Sequence, residues 1–163
     1  MTDSDKPTRS TRRGFDSLEQ EVFLNLWRTY DRLRGLEEAL FAQFDLTPQQ
    51  YNVLRLLARA APQGCQTLEL ASRLVSRAPD ITRMLDKLAD RRLIGRHRPP
   101  DNRRVVFVAI TPEGFKLLDE IREPLAACHH RQLGHMPRKD LEQLVRLLHE
   151  VRDPHESDES SWR

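Results

Sequence analysis

Between Arg91 and Arg104 the chain carries six arginines and a single aspartate. Guanidinium groups at this density do one thing well: they donate in a fixed fork to phosphate oxygens and to guanine edges, and they release the counterions condensed on a duplex. The run is organised. Ile94-Gly95-Arg96-His97-Arg98 alternates as a strand does, Pro99-Pro100-Asp101-Asn102 is a turn cluster, and Val105-Val106-Phe107-Val108-Ala109-Ile110 returns as a second strand with Val106, Val108 and Ile110 on one face. A cationic hairpin directly after a helix with a polar outer face is a pattern suited to gripping double-stranded DNA.

The preceding segment supplies that helix. Read from Ser76 to Arg91, it puts Ile81, Leu85 and Leu88, with Met84, on one side and Pro79, Thr82, Arg83, Asp86 and Lys87 on the other. Ser76 is expected to cap it, with Pro79 near the third helical position, where its missing N–H goes unbonded anyway. A shorter helix from Thr67 to Leu74, with Leu68, Ala71 and Leu74 inward, comes just before. Two short helices joined by a tight turn make a helix-turn-helix.

The candidate DNA contacts on the recognition helix are Ser76, Arg77, Pro79, Asp80, Thr82, Arg83 and Lys87. Arg83 is the best placed for a bidentate bond to guanine O6 and N7, and Thr82 for a thymine methyl or a phosphate. Asp80 is odd beside phosphates, so its first reading is electrostatic support of the helix N-terminus, and its second is acceptance of a hydrogen bond from a cytosine N4. In the wing the candidates are Arg96, Arg98, Asp101, Arg103 and Arg104. Arg103 or Arg104 is expected in the minor groove, where negative potential draws guanidinium groups, and Arg96 and Arg98 on phosphates. Alone, the helix face would read as ordinary solvated surface; the cationic hairpin after it reverses that judgement.

The other elements must position this head. Asp16 to Phe44 reads as one long helix, with Asp16 and Glu19 at capping-box spacing. Leu18, Val22, Leu26, Leu33, Leu36 and Leu40, widened by Phe23, Trp27 and Tyr30, give it an apolar face broader than one small domain covers, so part of it is expected to meet a partner chain, the alternative being a three-layer core that hides it. Thr47-Pro48-Gln49-Gln50 starts a second helix carrying Tyr51, Val53, Leu54, Leu56 and Leu57. After the wing, Thr111-Pro112-Glu113 caps a helix with Phe115, Leu118, Ile121, Leu125 and Cys128 in register, which Pro124 is expected to kink or end. A final helix, roughly 138–152, is expected to bury Leu141, Leu144, Val145, Leu148 and Val151.

Composition bounds the rest. The chain has 163 residues and a formal net charge of only +2, so it is the local concentration of charge that points to nucleic acid. Residues 1–15 read as a disordered basic arm and 153–163 as a disordered acidic tail. There is no run long enough to span a membrane and no signal-peptide core, which predicts a cytoplasmic protein. Cys65 and Cys128 do not make a disulfide framework; Cys65, after a Pro-Gln-Gly loop, is expected to be exposed, but nothing nearby lowers its thiol pKa. His129, His130 and His135 lack ligand spacing and read as surface or interface histidines, so no metal or other cofactor is expected. No phosphate loop, nucleophile elbow or metalloprotease motif appears, and the chain is not expected to be an enzyme.

At these residues the chain resembles the MarR family of bacterial winged-helix regulators. The resemblance is carried by the run from Ser76 to Leu88, by Arg92-Leu93-Ile94, by the wing motif Asp101-Asn102-Arg103-Arg104, which fits the family's Asp-x-Arg-Arg, and by Ile110-Thr111-Pro112-Glu113-Gly114, where Ile110 stands for the family's Leu. It covers about Leu46 to Leu118, and the element order agrees outside that.

The resemblance implies a mainly α (α+β) fold: a winged helix-turn-helix over 47–111, with a two-stranded β-wing and an intertwined helical dimerisation region from 16–46 plus 112–152. It implies a homodimeric regulator, a repressor, on a pseudo-palindromic operator, with Arg103 favoured as the minor-groove residue and Asp101 holding that loop or an arginine. It also implies a small aromatic effector in a cleft, for which Trp27, Tyr30, Phe44 and Tyr51 are candidate lining residues, although packing explains most such aromatics. The alternative is a winged-helix module that contacts protein instead of specific DNA.

Overall fold

The computed structural model describes residues 14–75, 80–98 and 105–156. The elements run α1 (Leu18–Ala42), α2 (Pro48–Arg59), β1 (Cys65–Gln66), α3 (Thr67–Ser72), α4 (Ile81–Asp90), β2 (Ile94–His97), β3 (Phe107–Ile110), α5 (Pro112–Leu133) and α6 (Arg138–Arg152), followed by a 3-10 turn at Asp153–His155. The chain falls into two units that divide within α1, between Gly35 and Leu36.

The first unit is the N-terminal part of α1. Its cap lies one residue later than the Asp16/Glu19 spacing suggests. The Ser17 hydroxyl accepts from the Gln20 amide at 3.2 Å, and the Gln20 side chain returns to Asp16, accepting from its backbone N–H at 2.7 Å. Serine displaces the aspartate as cap because its short hydroxyl reaches the third amide, leaving the Asp16 carboxylate to accept from Gln20 Nε2 at 3.0 Å. Leu18, Val22, Phe23, Leu24, Trp27 and Tyr30 are all exposed, Trp27 at 63%.

The second unit holds the core. Val53, Leu54 and Leu57 of α2, Leu70 of α3, Leu85 and Leu88 of α4, Val108 of β3 and Ile121 of α5 are essentially inaccessible, joined by Leu40 and Phe41 from the end of α1. Each such side chain contributes about 1.5–3 kcal/mol relative to exposure. The sequence signals of α2 are realised in full: Thr47 Oγ1 accepts from the Gln50 amide at 3.2 Å, and Gln50 Oε1 accepts from the Thr47 amide at 2.8 Å.

A third strand joins the wing hairpin. The sheet order is β1-β3-β2, all antiparallel, with Cys65 opposite Val108 and Gln66 opposite Phe107. Gly64 permits the join: its φ is +74°, and a Cβ there would lie 2.1 Å from the Val108 carbonyl oxygen. A two-residue strand has no periodicity to read, and it escapes sequence inspection.

Three helical expectations need correcting. Around α3, Leu74 is buried and Ala71 half-buried as expected, but Leu68 is 84% exposed and Leu70 takes the inward place; the six-residue helix is too short for a spacing of three to fix its buried side. On α5, of the two effects expected of Pro124 the ending does not occur, since the helix continues to Leu133 with the proline inside it. On α6 none of the expected core residues is buried: Leu141, Leu144 and Leu148 are partly covered, while Val145 and Val151 are exposed. The periodicity there is genuine, but within one chain that face is only partly covered. The chain is also still structured at the start of the acidic tail, through the turn at Asp153–His155. Residues 1–13 and 157–163 lie outside the described residues.

Candidate nucleic-acid interface

Helix α4 begins at Ile81, later than the sequence suggests. Asp80 is its N-cap, accepting from the Arg83 amide at 3.1 Å. A carboxylate satisfies an orphan N–H and complements the helix dipole at once, so Asp80 supersedes the expected cap at Ser76, and its first reading as an N-terminal support holds. Ser76, Arg77 and Pro79 lie outside the described residues. Leu85 and Leu88 are buried, Ile81 and Met84 half-buried, and Thr82, Arg83, Asp86 and Lys87 form an exposed stripe.

The far end of α4 closes in a Schellman motif. Leu93 N–H reaches back to Leu88 O at 3.0 Å and Arg92 N–H to Ala89 O at 2.8 Å, with Arg92 in the left-handed region at φ 58°. Glycine usually takes this place; an arginine holds it here. The residue before it, Arg91, turns away from the wing. Its guanidinium donates to the carbonyls of Asp45 at 2.5 Å and Phe44 at 3.0 Å, just past the C-terminus of α1. Backbone carbonyl oxygens accept readily, and the planar guanidinium fork donates to two of them at once. One of the six arginines is thereby a structural tie.

Strand β2 leads from α4 into the wing, with Ile94 opposite Ile110, Arg96 opposite Val108 and His97 opposite Phe107. Buried Ile94 and Val108 root the hairpin. Arg96, His97 and Arg98 are exposed, and the His97 ring stacks on Phe107 with centroids 5.5 Å apart. Arg96 is not simply a cation awaiting phosphate: its Nη1 lies 2.7 Å from Asp86 Oδ1 of α4. Thr67, Thr82, Arg96, His97 and Arg98 share the wall of one groove of about 480 Å³ between the helix pair and the wing. Thr67 and His97 were not singled out from sequence, since only the folded hairpin brings them beside Thr82. Asp101, Arg103 and Arg104 lie outside the described residues.

The Thr111-Pro112-Glu113-Gly114 run fixes the root of this wing. The Thr111 hydroxyl accepts from the Gly114 amide at 3.1 Å, capping α5, and donates to Arg92 O at 2.7 Å. Gly114 lies so close to the hairpin that a Cβ would sit 2.4 Å from Leu93 O. The motif thus joins the end of the recognition helix, the wing and α5 at one point.

Comparison with known proteins agrees with this geometry. Residues 46–106 match the MarR family. The crystal structure of a MarR transcription factor from Planctomyces limnophilus is 55% identical, covers 83% of this chain and 98% of its own, and superposes with a TM-score of 0.66. The chain belongs to the MarR family. Two more distant structures share the fold. A mutant MarR from Escherichia coli complexed with operator DNA has 22% identity, covers 83% of this chain and 98% of its own, and gives a TM-score of 0.72. CouR from Rhodococcus jostii bound to p-coumaroyl-CoA has 24% identity, covers 88% and 100%, and gives 0.73.

This MarR-family chain is therefore a DNA-binding transcriptional regulator, not an enzyme, and its polar α4 stripe and wing are the candidate contact surface. The candidate effector residues are dispersed in character. Trp27 and Tyr30 are exposed, whereas Phe44 and Tyr51 are half-buried against the core. Tyr51 stacks on buried Phe41 at 4.7 Å, and burial pushes its phenol pKa up. Packing accounts for Tyr51.

Both cysteines of this MarR-family chain are buried. Cys65, expected at the surface, is 3% exposed because β1 pairs it with buried Val108 of β3, and burial, aided by Glu69, pushes its thiol pKa up. A thiol so placed is a poor nucleophile. His129 pairs with Glu37 at 3.1 Å. Among the described residues no group of three or more His, Cys, Asp or Glu could hold a metal ion, and no helix is long and apolar enough to cross a membrane.

Proposed function

We propose that this regulator is a cytoplasmic homodimeric repressor that grips a pseudo-palindromic operator with two winged heads. The observation that carries the reading is a pair of unlike surfaces. One is the polar, cation-bearing stripe of Thr82, Arg83 and Lys87 beside the wing; the other is the exposed apolar residues of α1 and α6, Trp27 and Val145 among them. The first suits a duplex and the second a second copy of the chain. Residues 16–46 and 112–152 would form the dimer body and 47–111 the head.

Arg83 reads a guanine edge and Thr82 a methyl or phosphate, while Lys87 and Arg98 take phosphates. Arg103 enters the minor groove, with Asp101 or Arg104 supporting it, and Arg77 and Ser76 meet the backbone at the start of the turn. Half-sites then lie about 34 Å apart, one helical turn. An aromatic effector, by analogy with the coumaroyl thioester on the Rhodococcus protein, releases DNA by favouring a dimer whose heads are wrongly spaced.

A fluorescence-anisotropy titration on duplexes selected by the purified protein from its own upstream region tests this. Arg83→Ala should cost about 1–3 kcal/mol and relax base choice, and Arg103→Ala should weaken binding with less loss of choice. Equal affinity of wild type and the Arg83→Ala/Arg103→Ala double variant would remove the assignment of these residues. A flat salt dependence would instead favour a protein-binding winged helix.

A further inference from the structure

The exposed stripe of α4 contains an anion where DNA should approach. Asp86 lies one turn after Thr82 and Arg83 and next to Lys87, all exposed. A bare carboxylate there would repel phosphates and weaken every neighbouring contact. Its partner is Arg96 Nη1 at 2.7 Å, on the other element of the reading head.

The position of Arg96 gives the pair leverage. Its backbone is anchored opposite fully buried Val108, one rung below the described end of the hairpin at His97 and Phe107. The rung beneath is Gly95, which has no side chain and around which a Cβ would meet nothing within 4 Å. The wing is thus rooted by apolar packing at Ile94 and Val108, but on the groove side the Asp86–Arg96 pair is a direct tie between hairpin and recognition helix. Both partners are about half-exposed, at 36% and 51%, so the pair adds little to folding stability. It is nevertheless local in its effect: it sets where the wing stands relative to Arg83 and Lys87.

We propose that Asp86 and Arg96 form a neutral brace that positions the wing against the recognition helix, so that Arg96 is a positioning residue and not a phosphate contact. The proposal rests on the DNA-binding reading above and refines it. A neutral brace displaces no counterion, whereas a phosphate contact adds about 0.9 to the log–log salt slope. The two roles therefore leave different signatures in the same titration.

The test measures affinity and salt slope for Asp86→Ala, Arg96→Ala, the double variant and the charge swap Asp86→Arg/Arg96→Asp, on the duplex that wild type recovers from a random-sequence pool. Thermal melts confirm that each variant folds, and Asp86→Asn and Arg96→Gln serve if an alanine variant does not. Each single change should weaken binding about tenfold, the double change no more than the worse single one, and the swap should restore part of the loss, all with the slope of wild type. A slope reduced by about 0.9 in Arg96→Ala together with tighter binding by Asp86→Ala would overturn the brace. So would additive losses, or affinities unchanged from wild type. Failure of wild type itself to bind duplex in a salt-dependent way sinks the DNA reading instead, and shows itself before any variant is compared.

Discussion

The winged head and the terminal helices treat apolar side chains in opposite ways. From α2 to β3 the large aliphatic residues are mostly inaccessible, with Leu54, Leu57, Leu70, Leu88 and Val108 at 0% exposure. In the first half of α1 and along α6, residues of the same kind stand in solvent: Phe23, Trp27, Val145, Leu147 and Val151. Apart from Leu68 and Val75, the head covers its large apolar side chains with its own contacts, while the terminal helices carry an unfilled apolar requirement, and a heptad-like stripe in a sequence says only that something covers it, not that the same chain does.

The sharpest way to break this contrast is to empty the head. Leu54→Ala should destabilise by about 2–5 kcal/mol, read as a fall in Tm that does not depend on protein concentration. Leu147→Ala on α6 should instead weaken the proposed association, giving a Tm that falls more steeply on dilution than that of wild type. If the two variants behave alike, the distinction between the regions is false. Next in size, Trp27→Glu with Val145→Glu should shift the protein to monomer in sedimentation, at a cost of about 2 kcal/mol or more in association, while the circular dichroism of the head persists.

Smaller changes sharpen the picture of the head itself. Thr111→Val removes the cap of α5 and the donor to Arg92 O, and a chemical denaturation curve should show a loss of about 1–2 kcal/mol. Arg92→Gly should stabilise by at most about 1 kcal/mol, since it relieves a left-handed arginine at the expense of a more flexible unfolded chain. A DNA affinity that drops in the same variant would show that the strained arginine is kept for contact with the duplex.

Much of the head was legible in the sequence because its signals are local. The Thr47/Gln50 box, the Leu85/Leu88 face and the Thr111 cap each depend on residues within one turn of one another. What escaped inspection depends on distant partners. Strand β1 exists only because β3, over forty positions later, offers it an edge, and the burial of Cys65 follows from that pairing. Arg91 and Arg96 look like any other members of a basic run until the fold gives one of them the carbonyls beyond α1 and the other the carboxylate of Asp86. The start of α4 was misjudged for a different reason: Ser76 and Asp80 are both good caps, and choosing between them takes geometry that spacing does not contain. The inward residue of α3 was misjudged because six residues make too little of a helix to show a face.

The tie made by Arg91 ends on main-chain oxygens, and that has a consequence for how this junction tolerates change. Replacing the side chain of Phe44 or Asp45 leaves both acceptors of this tie in place, so what limits substitution there is the packing of Phe44 on the core and the left-handed backbone of Asp45, φ 51°, and not the tie itself. A single-residue insertion or deletion between Gln43 and Leu46 would carry the acceptors out of reach. For the tie itself, length and not identity is what this corner of the molecule has to preserve.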